Sequence, residues 1–152
     1  MACTVFKSSF YRETLRLFKE FHFSAPHRAS LLPKFDVWHT WREEVIERAP
    51  QPDGRDVRPM EGATLAPIDG YQLVKRNDLW NGFTEPAATH AGWNFIRYIY
   101  AYRVKAGADS VVMLWIYSHG QFGRNNPPTV PPAAERMRAF REALAEAKAA
   151  QS

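Results

Sequence analysis

The feature that most constrains this chain is a pair of long β-prone runs, Trp93 to Lys105 and Ser110 to His119, separated by Ala106-Gly107-Ala108-Asp109. Together they are rich in Val, Ile and Tyr, with Phe95, side chains that suit a pleated, half-buried surface. The spacing predicts an antiparallel hairpin with a four-residue loop. Tyr71-Gln72-Leu73-Val74-Lys75 reads as a further strand and Thr4-Val5-Phe6 as a short one.

Around these strands the apolar period is helical. Phe10, Thr14, Leu17, Phe18 and Phe21 recur at helix spacing, with Ser8 or Ser9 placed to accept from the first free amides. Ser24-Ala25-Pro26 ends that helix, and Phe35, Trp38, Trp41, Val45 and Ile46 predict a second one after Pro33. Pro131 to Ala150 has helix-forming content, with Met137, Phe140 and Leu144 on one side. Residues 49–70 are dense in turn formers (Pro50, Pro52-Asp53-Gly54, Pro59, Gly62, Pro67, Asp69-Gly70) and read as an enlarged loop, and Asp78 to Thr89 as irregular chain. With 152 residues there is material for one core. The fold class expected is therefore α+β over residues 1–152: a small antiparallel or mixed sheet, two N-terminal helices and a closing C-terminal helix.

Side chains alternate across a strand, so register decides which residues share a face. A loop at 106–109 sets Lys105 opposite Ser110. It then groups Phe95, Ile99 and Ala101 with Val112, Leu114 and Ile116 as core, and Tyr98, Tyr100 and Tyr102 with Met113, Trp115, Tyr117 and His119 on the other face. A one-residue bulge would instead bring Arg97 and Arg103 beside Tyr117 and His119.

Charge sharpens the functional reading. The formal net charge is +4, and in the stretch 89–124 Asp109 is the sole acid against Arg97, Arg103, Lys105 and Arg124. The same stretch carries Trp93, Phe95, Tyr98, Tyr100, Tyr102, Trp115, Tyr117 and Phe122. Cations pair with phosphate and aromatic faces stack on unpaired bases, so the coincidence points toward single-stranded nucleic acid, although an aromatic-rich sheet gives the same composition. His119 titrates near neutral pH and Arg124 offers a fixed fork of donors. Metal-free RNA cleavage needs one group to take the 2′-hydroxyl proton, one to protonate the leaving oxygen, and cations to steady the phosphate. His119, Arg124 and Arg97 have the chemistry for those parts, with Tyr98, Tyr100 or Tyr117 stacking a base or passing a proton. The competing reading is structural: His119 caps a strand end and Arg124 pairs with an acid on the last helix.

Other classes are disfavoured. No run approaches the roughly 20 apolar residues of a membrane span and the start lacks a secretory signal, so a cytoplasmic protein without membrane contact is expected. Cys3 is single, which excludes an intramolecular disulfide. His22 and His27 are separated by a prolyl break, and His39 and His90 read as lacking an acidic or histidine neighbour at ligand spacing, so neither metal nor cofactor is expected. Phosphate-loop, dinucleotide and serine-elbow motifs are missing.

The order of elements, with three patches, resembles the RelE/ParE superfamily of type II toxin–antitoxin toxins, and within it the YafO family of ribosome-dependent mRNA interferases. The patches are Leu17-Phe18-Lys19-Glu20-Phe21 with Leu32-Pro33-Lys34-Phe35-Asp36; Leu114-Trp115-Ile116-Tyr117; and His119 through Arg124-Asn125-Asn126 into Arg136-Met137-Arg138-Ala139-Phe140-Arg141. The sequence departs from the pattern in the His119-to-Arg124 gap, in the last helix motif, which is one residue tighter, in the loop 49–70 and in the tail past Leu144. The resemblance implies a RelE-like fold, cleavage of mRNA on translating ribosomes, and a cognate antitoxin protein as partner. It implies roles for His119, Arg124 and Asn125; Arg97, Arg103 and the tyrosines rest on the register argument. A RelE/ParE-fold toxin aimed at another target such as DNA gyrase, and a non-catalytic protein- or RNA-binding module, are the alternatives.

Overall fold

The computed structural model describes residues 4–21, 23, 25–54, 56–60, 67–79, 95–105, 108–118 and 133–151. β1 (Thr4–Lys7) runs through Ser8 into α1 (Ser9–Phe21). Of the two serines offered by the sequence, Ser8 is the cap. Its hydroxyl accepts from the Tyr11 amide at 3.1 Å and donates to the Met113 carbonyl at 2.7 Å, so one side chain starts the helix and ties it to the sheet.

α2 (Ala25–Arg48) starts earlier than the sequence predicts and carries Pro33 in its interior. Proline supplies no amide hydrogen to the turn before it, a defect of about 3 kcal/mol in a helix interior. Pro33 faces solvent, while Leu31 and Phe35 on either side are buried. Phe35 packs 5.1 Å from Phe18 and 5.7 Å from Phe23, ring centre to ring centre, and burial of such side chains at about 1.5–3 kcal/mol each offsets the defect.

The expected loop 49–70 holds a short strand, β2 (Val57–Pro59). It is followed by a tight hairpin in which Ile68 and Tyr71 exchange backbone hydrogen bonds of 3.0 and 2.8 Å. Asp69 and Gly70, its two central residues, both have positive φ (52° and 81°), the backbone a two-residue hairpin demands and the Asp-Gly pair tolerates. β3 (Gln72–Leu79) continues through Asp78, which the sequence reading placed in irregular chain. β4 (Phe95–Lys105), β5 (Ala108–Ser118) and α3 (Ala133–Gln151) complete the chain.

The five strands form one sheet in the order β1-β5-β4-β3-β2, with β1 parallel to β5 and the remaining pairs antiparallel. The fold is α+β with a mixed sheet. Lys105 pairs with Ala108 and Arg103 with Ser110, which corrects the four-residue loop to two residues. A bulge then sets Ile99 opposite Trp115 but Tyr100 opposite Met113, so Leu114 is the extra residue.

That single insertion rearranges the expected faces. Tyr98, Tyr100 and Tyr102 share their side with Val111, Met113 and Ile116 and pack under Tyr11, Phe18, Phe35 and Ile46 of α1 and α2. Ile99, Ala101, Val112, Leu114, Trp115 and Tyr117 pack under Phe140, Ala143, Leu144 and Ala147 of α3. Both faces are therefore core, and Trp115 and Tyr117 lie on the side opposite to the one expected.

Candidate nucleic-acid interface

Register also builds a cationic row. Arg58 on β2 faces Lys75 on β3, Asn77 faces Arg97 on β4, and Arg97 faces Tyr117 on β5. Residues 75, 77 and 97 alternate in phase with Leu73, Ile99 and Tyr117, so the row crosses four strands on the α3 side of the sheet. The Arg97 guanidinium lies 5.9 Å from the centre of the Tyr117 ring. Burial pushes the Lys75 ammonium below its usual value, and the neighbouring charges of Arg97 and Arg58 push it further the same way. Among the described residues, neither Lys75 nor Arg97 has a carboxylate within ion-pair distance. Arg97 Nε and Asn77 Oδ1 are buried without a hydrogen-bond partner among the same residues. The like charges of Lys75 and Arg97 repel one another at a cost in stability, and an anion placed across them relieves that repulsion.

The predicted site residues divide on this frame. Arg97 stands in the row and Tyr117, 4% exposed, forms its floor rather than a free stacking platform. Tyr98 and Tyr100 are fully enclosed on the opposite face, which corrects the expectation that they stack on a base. Their hydroxyls serve the framework: that of Tyr100 donates to the Pro50 carbonyl at 2.8 Å, and that of Tyr98 lies 2.7 Å from His39 Nδ1. Burial raises the pKa of both phenols, so neither is suited to trade a proton near neutrality. Arg103 shares the face of Arg97 but sits toward the other end of β4, its guanidinium carbon 5.4 Å from the Tyr71 ring centre. His119, Arg124 and Asn125 lie outside the described residues. β5 brings the chain to the end of the row at Ser118, paired with Ile96, and His119 is the next residue in sequence.

Sequence reasoning missed a polar cluster under α2. His39 is 5% exposed, and its Nε2 lies 3.3 Å from Glu43 Oε2, within ion-pair range though outside hydrogen-bond geometry. The Tyr11 hydroxyl donates to the same oxygen at 2.8 Å, and Lys7 Nζ to Oε1 at 3.0 Å. Burial alone would raise the Glu43 carboxyl, but His39, Lys7 and Tyr11 together hold it at about 2. The statement that His39 lacks an acidic neighbour is thereby corrected. Glu43 lies one helical turn on, and the four-residue spacing was the available signal. A more deeply buried carboxylate, Asp78, lies 3.1 Å from Arg76 and 3.4 Å from Arg42.

What fold and site define together is an α+β domain with a cationic row on one sheet face. No protein-family model, curated protein or solved structure matches this chain.

Proposed function

We propose that this chain is a type II toxin that cleaves mRNA on the ribosome without a metal, acts in the cytoplasm and is neutralised by a cognate antitoxin protein. The observation that carries the reading is the row of Arg58, Lys75 and Arg97, with Tyr117 beneath Arg97, at the strand end that feeds directly into His119. Cations in such a row hold the non-bridging oxygens of a phosphate and favour the extra negative charge of a pentavalent intermediate. One proton acceptor removes the 2′-hydroxyl proton, O2′ bonds to phosphorus, and the bond to O5′ breaks as that oxygen receives a proton. His119 and Arg124 are assigned to those transfers and to charge stabilisation, and Asn125 to positioning the strand. No helix among the described residues is long and apolar enough to cross a membrane.

The same row favours a second reading, a nucleic-acid-binding module without chemistry, because cations hold phosphate but move no proton at neutral pH. Primer extension on a defined message, with purified ribosomes and the parent, His119→Ala and Arg124→Ala proteins, separates the two. New 5′ ends with the parent alone support cleavage. Intact message in every lane rejects it, and inhibition of DNA supercoiling by the same preparation would redirect the fold to a gyrase target.

A further inference from the structure

We propose that a groove between the β3 hairpin and the C-terminal half of α3 is a ribonucleotide subsite, remote from the row at Arg97. It is about 330 Å³ in volume and is lined by Asp69, Tyr71, Arg103, Leu144, Ala147 and Lys148. Arg103 and Arg97 are six residues apart on the same face of one strand, about 20 Å in an extended chain. The inference rests on the RNA reading above and deepens it, by giving the strand a second point of attachment.

The groove is built rather than incidental. The Asp69-Gly70 turn, with both φ positive, lies against Arg103, where a Cβ on Gly70 would be in ordinary van der Waals contact, 3.5 Å from Nε. The Tyr71 hydroxyl is hydrogen-bonded at 2.8 Å to Ser110 Oγ across the intervening strand, which fixes the ring, and the Arg103 guanidinium carbon lies over that ring, 5.4 Å from its centre. The guanidinium is planar and stands at the groove, and arginine planes stack on unpaired bases. Lys148 supplies a cation for phosphate, and the Asp69 carboxylate an acceptor for a ribose 2′-hydroxyl. Two of the three acids of α3 are engaged elsewhere: Glu146 accepts from the Ser9 amide and hydroxyl, both at 2.8 Å, and Glu142 lies 3.8 Å from Arg138. A planar arginine beside a fixed tyrosine, a lysine and a carboxylate match a ribonucleotide, whether part of a strand or free.

Calorimetric titration with a short oligouridylate, with uridine monophosphate and with inorganic phosphate distinguishes these sources. Circular dichroism verifies the fold of each variant. Arg103→Ala and Lys148→Ala should each weaken the nucleotide probes about tenfold, the loss expected for one stacked base or one charge-assisted contact. Binding of the oligomer but not of the monophosphate, lost on Arg103→Ala, assigns the subsite to a strand; binding of both admits the free nucleotide. Parent-like affinity in both variants, or inorganic phosphate binding as tightly as the nucleotides, overturns the proposal. A protein that cuts message with parent-like affinity in Arg103→Ala keeps its function and loses this subsite. One that cuts nothing yet loses tenfold affinity keeps the subsite and loses the nuclease.

Discussion

Replacing Glu43 by Gln tests the polar cluster that joins α2 to β1 and α1. The carboxyl is held at about 2 instead of its ordinary 4.5, equivalent to roughly 3.4 kcal/mol at full strength. Lys7, one of its partners, is 46% exposed, and solvent screening brings the expected contribution down to about 1–2 kcal/mol. Because the folded value is depressed, this stabilisation is complete above pH 4.5 and is lost as the pH falls from there toward 2. Gln cannot titrate, so urea unfolding followed by tryptophan fluorescence should show the parent losing about 1–2 kcal/mol more than Glu43→Gln between pH 5 and pH 2. Parallel stability curves for the two proteins over that interval would refute the argument, because they would mean that the cluster contributes no charge-dependent stability.

Two further substitutions probe the layers on either side of the sheet. Phe140→Ala empties a fully buried position of α3 over the sheet and should cost about 3–5 kcal/mol in denaturant unfolding; a loss below about 1 kcal/mol would show that α3 does not close that face. Ser8→Ala removes both the α1 cap and a donor to the Met113 carbonyl, and should lower stability by about 2 kcal/mol with a parent-like circular dichroism spectrum.

The three helices, four of the five strands and the α+β class were legible from their apolar periods and β-forming runs; β2, three residues inside a turn-rich stretch, was not. Register was not. Leu114 bulges within an unbroken run of β-formers, where alternation carries no mark of an extra residue, and that one residue moved Trp115, Ile116 and Tyr117 across the sheet. Pro33 misled for a different reason: tertiary burial of Leu31 and Phe35 outweighs the local penalty of a proline in a helix. The clustering of cations was visible in composition, yet Lys75 and Arg58 were not singled out. They reach Arg97 only through strand pairing between segments distant in sequence. Conversely, the aromatic signal that pointed to Tyr98 and Tyr100 reflected a sheet buried on both sides.

The central claim is that the row of cations on the α3 face takes the phosphates of an RNA strand. The affinity of a short single-stranded RNA, measured by fluorescence anisotropy across a series of salt concentrations, tests it most directly. Arg97→Ala should bind more weakly, with a slope of log affinity against log salt shallower by about 0.7, one phosphate contact fewer. Identical affinity and slope for parent and variant would contradict it.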